Sequence, residues 1–230
     1  MVTASDSLHD EVERKLRAAY LYGPKDPTRR MLDKLLSVIA QFRESDLKLT
    51  KLLQDVADTV NRQFWLKEVT IGLKDSDGKY RYKIMCGLRP DAWKAHQELA
   101  YTLEEFTDPR YYKGRQLSKY TKLFLAEDKP FVDGEEDTFT RPILLKARRR
   151  SVEDCIEGDY LDTHIFSRTG ELIGWLEISG TKDGKFPDPV TIRWIEVLAL
   201  IIGTALQYER EGKGGGEGRL RSLANIARGR

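Results

Sequence analysis

The residues best suited to catalysis or metal binding are few and widely separated in this sequence. The three histidines are His9, His96 and His164, and the two cysteines are Cys86 and Cys155. None of them has the short spacing that is typical of zinc ligands, so we predict no metal site. The sequence also lacks the P-loop, the nucleophile elbow, the His-Glu-x-x-His helix motif and the Cys-x-x-Cys redox motif. These residue types predict a protein that is not an enzyme.

A haem or redox sensor is an alternative that the same residues leave open. A haem needs only one cysteine or histidine that faces a deep apolar pocket. Cys86, Cys155 and His164 are the candidate ligands. The sequence alone leaves the cofactor unknown.

A pocket for a small molecule is the second kind of site that the residue types allow. An aromatic wall with one or two polar anchors suits a small ligand, although the same side chains would also fill a core. Alternation puts Tyr82, Ile84 and Cys86 on one face of their predicted strand, and Trp175 and Glu177 on one face of theirs. The pocket is expected on the face of the sheet opposite the terminal helices. The full candidate lining is Tyr82, Ile84, Cys86, Trp93, Tyr112, Tyr120, His164, Trp175 and Glu177.

The charged residues divide the chain into a nearly neutral body and a basic end. The net charge is +2 for 230 residues, but residues 211–230 carry +3 and the remaining residues carry −1. One basic patch of the body could bind a phosphate or an acidic partner, or could pair with the acidic stretch at 127–137. This patch comprises Lys146, Arg148, Arg149 and Arg150. Nucleic acid is therefore expected at most through the end of the chain.

The elements that must position these residues follow from hydrophobic periodicity. Apolar residues at helical spacing precede residue 63, and strand-like alternation then predicts hairpins over 68–86 and 159–179. A helix is predicted over 90–106, and the last one ends near residue 210. This order predicts an α+β fold with a central antiparallel sheet, terminal helices on one face and an irregular middle segment on the other. The turn at 168–170 allows two registers, so either Thr163 or His164 lies opposite Trp175.

Composition further divides the chain into four expected parts. These are an N-terminal helical extension (1–30), the main domain (31–210), a glycine-rich linker (211–218) and a basic, weakly amphipathic tail (219–230). The tail residues at helical spacing are Arg219, Leu220, Leu223 and Ile226, and the tail is expected to be either disordered or docked on a partner. No signal peptide or long apolar run is evident, so we expect a cytoplasmic protein without a membrane span.

Two stretches of the main domain resemble the GAF family. The first helix and hairpin of that family are similar to LLSVIAQFRESDLKLTKLLQDVADTVNRQF and EVTIGLKDSDGKYRYKIMCGL, and its last strand is similar to GELIGWLEIS. The resemblance covers residues 31–210. It implies a non-enzymatic regulatory domain that binds a small molecule or a signalling protein and dimerises through its terminal helices. A ligand-free dimerisation module, whose tail docks on a partner or on nucleic acid, is a further alternative.

Overall fold

The computed structural model of the chain describes residues 4–22, 27–41 and 49–214. The chain forms two compact units, with the division between residues 37 and 38. Helix α1 (Ala4–Tyr22) lies in the first unit, and α2 (Pro27–Gln41) begins there. Pro27 suits the first turn of α2, because proline lacks the N–H that would have no partner in that turn.

The second unit contains a six-stranded antiparallel sheet, which confirms the predicted α+β fold. Its strands lie in the order β2-β1-β6-β5-β4-β3. The strands are β1 (Val69–Lys74), β2 (Tyr80–Cys86), β3 (Gly114–Gln116), β4 (Thr121–Phe124), β5 (Tyr160–Phe166) and β6 (Leu172–Ile178). Both predicted hairpins are present as β1–β2 and β5–β6. The short strand β3 lies in the segment that was expected to be irregular.

Two helices cover one face of this sheet, as the sequence predicts. Helix α3 (Leu49–Gln63) packs against β1 and β2, and α6 (Pro189–Gly214) packs against β5 and β6. The strand residues on this face are nearly all apolar and fully buried, for example Val69, Ile71 and Ile178. Burial of this apolar surface is the main favourable contribution to folding of the unit. We call this side of the sheet the helix face.

The helix α6 extends beyond its expected end. It includes residues 211–214 of the predicted linker, whereas the rest of the linker and the tail with Arg219, Leu220, Leu223 and Ile226 lie outside the described residues. The stretch Pro189–Gln207 is long and apolar enough to cross a membrane by length and composition alone. Half of this stretch is buried within the protein, and the core helix of a globular domain passes the same test.

The prediction of one helix over 90–106 is wrong. The structure has α4 (Pro90–Glu98) and a short α5 (Leu103–Thr107), with Tyr101 in extended conformation between them. Tyr101 exchanges two backbone hydrogen bonds with Tyr80, of 2.8 and 2.9 Å, so the edge strand β2 captures this part of the chain. Thr102 and Glu105 then form a capping box that starts α5.

Strand β2 contains a bulge that corrects the expected placement of Ile84 and Cys86. Gly72 pairs with Tyr82 and Ile71 pairs with Ile84, so one residue of β2 has no partner in β1. Because side chains alternate along a strand, the extra residue reverses the faces beyond it. Tyr82 therefore lies on the face opposite the helices, whereas Ile84 and Cys86 lie on the helix face. The prediction that all three share a face is wrong.

Candidate functional site

A cleft lies on the face of the sheet opposite α3 and α6. It encloses about 30 Å³ that water-sized groups can occupy, and about 300 Å³ of empty space when its open mouth is included. Six aromatic rings and two carboxylates line it: Tyr82, Tyr101, Phe106, Tyr112, Phe124, Tyr160, Asp162 and Glu177. We call it the aromatic cleft. Its rings come from β2, from β4 and β5, and from the loops and short helices between β2 and β5. We call this part of the chain, residues 87–159, the middle segment.

Trp175 forms the floor behind these rings. Its side chain is fully buried, and its ring centroid lies 4.9 Å from that of Tyr82 and 4.8 Å from that of Phe106. The neighbouring strand accommodates the indole because residue 72 is glycine. A Cβ atom at this position would lie 2.0 Å from Trp175 Cη2. The packing of Trp175 therefore fixes the inner wall of the cleft.

The hydroxyl groups of three tyrosines in the cleft donate to protein acceptors. Tyr82 donates to Glu177 Oε2 at 2.8 Å, and Tyr112 donates to Glu135 Oε1 at 2.7 Å. Tyr160 donates to the backbone carbonyl of Pro130 at 2.8 Å. Burial raises the pKa of each of these three phenols, and the nearby carboxylates raise it further. These tyrosines thus stay protonated at neutral pH and connect the sheet to the middle segment.

Two acidic residues face each other across β5 and β6. Asp162 lies directly opposite Glu177, and both side chains point to the aromatic cleft. Burial raises the pKa of Glu177 to about 7, although the hydrogen bond from Tyr82 acts to lower it. Burial, together with the charge of Glu177, also raises the pKa of Asp162 well above its ordinary value. Two carboxylates this close in apolar surroundings resist being ionised together, so the pair holds a proton when the cleft contains no cation.

Some polar atoms around the cleft lack a hydrogen-bond partner. Within the described ranges, these buried atoms include Asp162 Oδ1 and His164 Nε2, whereas Thr70 and Trp175 are near enough to Glu177 to lower the pKa of its carboxyl. Burial, assisted by the charge of Lys122, lowers the pKa of His164 to about 4, so its imidazole is neutral at pH 7. Most buried polar groups in proteins are satisfied, so a concentration of unsatisfied ones beside a cleft indicates room for a ligand or water.

The structure brings together five of the nine predicted lining residues. Tyr82, Tyr112 and Glu177 line the cleft, while Trp175 and His164 lie behind it and contact Phe106. The register of β5 and β6 places His164, and not Thr163, opposite Trp175.

The remaining predicted residues lie elsewhere. Trp93 stacks at 6.4 Å on His96, which in turn contacts the Tyr82 ring at 4.5 Å. Tyr120 lies beside Phe166, with a centroid distance of 6.3 Å. Ile84 and Cys86 are on the helix face.

The sequence analysis missed most of the aromatic wall. Tyr160 and Asp162 precede His164 by four and two residues on the same strand, so alternation along β5 is a signal that would have found them. Tyr101 and Phe106 gave no such signal, because the break between α4 and α5 depends on pairing with β2 and not on local sequence.

The cysteines and His164 occupy three different environments. Cys86 is half-buried on the helix face, where burial and then the Asp58 carboxylate of α3 raise its thiol pKa. Cys155 lines a second cavity of about 50 Å³, and burial raises its pKa to about 12. The three candidate haem ligands therefore do not converge on one pocket. Among the residues that the structure describes, no group of three or more His, Cys, Asp or Glu is arranged to hold a metal ion.

The predicted basic patch is divided by the fold. Arg149 binds Glu127 through two hydrogen bonds of 2.9 and 2.8 Å and Asp159 through one of 2.8 Å, and only 17% of its side chain is exposed. Its guanidinium also lies 5.3 Å from the centroid of Phe186. Arg149 thus holds the middle segment to the sheet, and it is not available as part of a phosphate clamp. Lys146, Arg148 and Arg150 are exposed to solvent.

Solved structures of similar shape are numerous, whereas no protein-family model and no curated protein sequence matches this chain. A GAF domain of a phosphoenolpyruvate-protein phosphotransferase from Coxiella burnetii is 15% identical with a TM-score of 0.52, over 80% of this chain and 96% of that one. A phycocyanobilin-bound GAF domain of a cyanobacterial phytochrome is 14% identical with a TM-score of 0.51, over 76% and 93%. Free methionine-R-sulfoxide reductase from Neisseria meningitidis, in complex with its substrate, is 12% identical with a TM-score of 0.51, over 82% and 95%.

Proposed function

Because this chain has a GAF-like fold, we propose that it is a non-enzymatic regulatory domain that binds a small ligand in the aromatic cleft. The observation that carries the proposal is a pair of buried polar atoms beside the cleft, Asp162 Oδ1 and His164 Nε2, which have no hydrogen-bond partner in the part of the chain that the structure describes. A core filled only for stability would leave fewer such atoms, since each costs free energy when it is buried without a partner.

The same strand that lines the cleft also contacts the C-terminal helix, which provides a route for a signal. Asp162 faces the cleft, and the next residue, Thr163, faces α6. The Thr163 hydroxyl lies 3.1 Å from that of Thr121, which donates to Glu196 of α6 at 3.0 Å. A ligand that displaces β5 would disturb this hydrogen-bonded chain. It would change the position of α6 only to the extent that it binds the two arrangements with different affinity.

The two cysteines support a role without catalysis or redox chemistry. The thiol of Cys155 is buried with its pKa raised to about 12, and Cys86 is on the face away from the cleft. A reactive cysteine needs the opposite environment, with exposure and a lowered pKa. Both cysteines are free, which is in keeping with a cytoplasmic location.

A second copy of the chain is the partner that the helices favour in this proposal. Helix α1 exposes Leu8, Val12 and Leu16, which lie at spacings of four residues and therefore on one side of the helix. Helix α6 independently exposes Val197 and Leu200. Apolar side chains in rows of this kind are typical of helix pairing between protomers.

The proposal can be tested by comparing the mass of the purified protein under native conditions with the mass of the denatured chain. We expect a non-covalent adduct on the wild-type protein and on Glu98→Gln, an exposed control, and a weaker one on Glu177→Gln. An adduct of equal abundance on all three proteins would place the ligand outside the cleft. Unliganded protein throughout, with no change in the NMR signals of the cleft on addition of a metabolite extract, would favour the ligand-free module.

The haem alternative has its own readout. A shift of the Soret band of added haem away from that of free haem, which is lost in Cys86→Ala, Cys155→Ala or His164→Ala, would replace the small-ligand proposal with a haem sensor. A spectrum identical to that of free haem would exclude this alternative.

A further inference from the structure

The aromatic cleft presents hydrogen-bond acceptors to a ligand. The hydroxyl hydrogens of Tyr82, Tyr112 and Tyr160 are directed to Glu177, Glu135 and the carbonyl of Pro130. A hydroxyl group has one hydrogen and two lone pairs, so what these groups can still offer is their lone pairs. A ligand that hydrogen-bonds to these three hydroxyl groups must therefore bring its own N–H or O–H donors.

The strongest of these acceptors is Asp162. The residue is 5% exposed, it lines the cleft, and its Oδ1 atom has no hydrogen-bond partner among the described residues. Lys122 lies opposite Asp162 on β4, and its charge acts to lower the pKa of that carboxyl, but the two form no ion pair within the described part of the chain. A buried carboxylate oxygen without a partner is costly, and a positively charged donor would relieve that cost.

The rings around the cleft favour the same charge. A cation within about 6 Å of an aromatic centroid is attracted by the negative face of the ring. The Phe124 and Tyr160 rings stack at 4.5 Å, and those of Tyr101 and Tyr112 meet edge to face at 5.7 Å. An anionic ligand would instead be repelled by any negative charge on Asp162 or Glu177.

The size of the cleft limits the ligand further. The enclosed part, about 30 Å³, has room for one or two water-sized groups such as an ammonium, and a tetrapyrrole is far larger than this space. A quaternary ammonium has no N–H for Asp162 Oδ1, whereas a primary ammonium has three. We infer that the aromatic cleft binds a small primary ammonium compound, whose nitrogen lies beside Asp162 and Glu177. This inference rests on the proposed function and names the class of its ligand.

Binding of such a cation has a definite pH dependence. The carboxylate pair holds a proton when the cleft lacks a cation, because burial raises both pKa values. A primary ammonium would displace that proton, so its affinity rises with pH by as much as tenfold per pH unit below pH 7. The other titratable or charged groups that face the pair from neighbouring elements are Tyr82, His96, Tyr101, Tyr112, Lys122, Glu135, Tyr160 and His164.

An NMR titration of the full chain with n-propylammonium, propionate and tetramethylammonium tests the inference. Propionate matches the probe in size and reverses its charge, and tetramethylammonium keeps the charge but lacks N–H donors. The indole N–H signal of Trp175, assigned with Trp175→Phe, reports occupancy of the cleft. We expect n-propylammonium to shift this signal at millimolar concentration, more strongly at pH 8 than at pH 6, with the other two probes at least tenfold weaker.

Two variants complete the test. Asp162→Asn keeps the shape of the side chain and removes its charge, and we expect it to weaken binding of n-propylammonium at least tenfold. Asp133→Asn, an exposed control, leaves binding unchanged. Preference for propionate, equal binding of tetramethylammonium, or no shift with any probe would each overturn the ammonium inference. The adduct seen by native mass spectrometry decides the proposed function separately, because it does not depend on the charge of the ligand.

Discussion

Gly72 lies directly opposite Trp175 in the β1–β6 pair, and a side chain at residue 72 would occupy the space of the indole ring. The nearest ring atom is 2.0 Å from the position of a Cβ, and three ring atoms lie within 2.3 Å. Trp175 is fully buried and packs against the rings of Tyr82 and Phe106, so relief of the clash requires these rings to move.

We therefore expect Gly72→Ala to destabilise the protein by about 1–3 kcal/mol, the usual cost of overpacking a core. Urea denaturation followed by fluorescence measures this change. The control is a double-mutant cycle with Trp175→Leu. If the alanine side chain clashes with the indole, the cost of Gly72→Ala should be smaller in the Trp175→Leu background, where the indole is absent. An unchanged cost in the Trp175→Leu background would show that the alanine acts through something other than the indole.

The buried pair Asp162–Glu177 predicts how stability depends on pH. The folded state raises the pKa of Glu177 from 4.5 to about 7, so between these values the folded protein binds more protons than the unfolded chain. The stability that this group contributes is thus fully present below pH 4.5 and is lost as pH rises through 7, by about 3 kcal/mol at most.

Glu177→Gln removes this titration, so its free energy of unfolding should fall less than that of the wild type between pH 4.5 and 7. His164 has the opposite sign, because its pKa is lowered to about 4 and its contribution is lost as pH falls. That effect is present in both proteins and cancels in their difference. Urea melts across the pH range check the prediction, with Glu98→Gln as a control. Parallel curves for all three proteins would contradict it.

Arg149 is expected to matter for stability and its neighbour Arg148 is not. Removing the Arg149 side chain leaves Asp159, which is 3% exposed, with backbone N–H donors and no counter-charge. We expect Arg149→Ala to cost about 2–4 kcal/mol. Arg148→Ala, at an exposed position on the same segment, should change stability by about 0.5 kcal/mol or less. Equal effects in chemical denaturation would mean that the ion pair of Arg149 contributes nothing.

The two thiols should differ in reactivity with an aromatic disulfide reagent. The native protein is expected to react slowly at Cys86, which is half-buried, and not at Cys155, whose pKa burial raises to about 12. Both thiols should react when the protein is unfolded in urea. Cys155→Ala should leave the native reaction unchanged, while Cys86→Ala abolishes it. A fast reaction that survives in Cys86→Ala would show that Cys155 is accessible and would reopen the redox alternative.

If the chain dimerises through its helices, substitutions on their exposed apolar side should halve the particle mass in solution. Light scattering should give twice the chain mass for the wild type, and Val12→Asp combined with Leu16→Asp should shift the protein to a monomer. These side chains are 56% and 67% exposed, so the substitutions leave the interior of the protein intact. Lys15→Ala on the same helix is the control. A monomer at every concentration of the wild type would refute the dimer.

The sequence predicted the layers of the fold better than the details of the cleft. Hydrophobic periodicity predicted both hairpins and the helices that cover one face of the sheet, because the apolar side of each element can be read from its own residues. It failed over 90–106, where Tyr101 leaves a helical pattern to pair with Tyr80 of β2. It also failed at Ile84 and Cys86, because the bulge opposite Ile71 and Gly72 arises from pairing between strands.

The residues of the site were likewise predicted correctly where their positions depend on local sequence, and missed where they depend on contacts between distant parts of the chain. Tyr82, Trp175 and Glu177 were correctly expected to share a face, since alternation along a regular strand is a local property. Asp162 was not predicted, although alternation along β5 places it on the same face as His164, two residues further on. Arg149 was expected in an open patch, and only the folded chain brings Glu127 and Asp159 to it.

The bulge in β2 has a consequence for how this sequence can diverge. The half of the strand with Tyr80 and Tyr82 lies on the same face of the sheet as Trp175 and the aromatic cleft, and the half with Ile84 and Cys86 belongs to the layer beneath α3. Substitutions in the two halves therefore change the packing of different neighbouring residues. An alignment of relatives that lack the bulge requires a one-residue gap at Lys83, the residue that has no partner in β1. The lining of the cleft and the packing of the helix can then evolve separately within a single strand of seven residues.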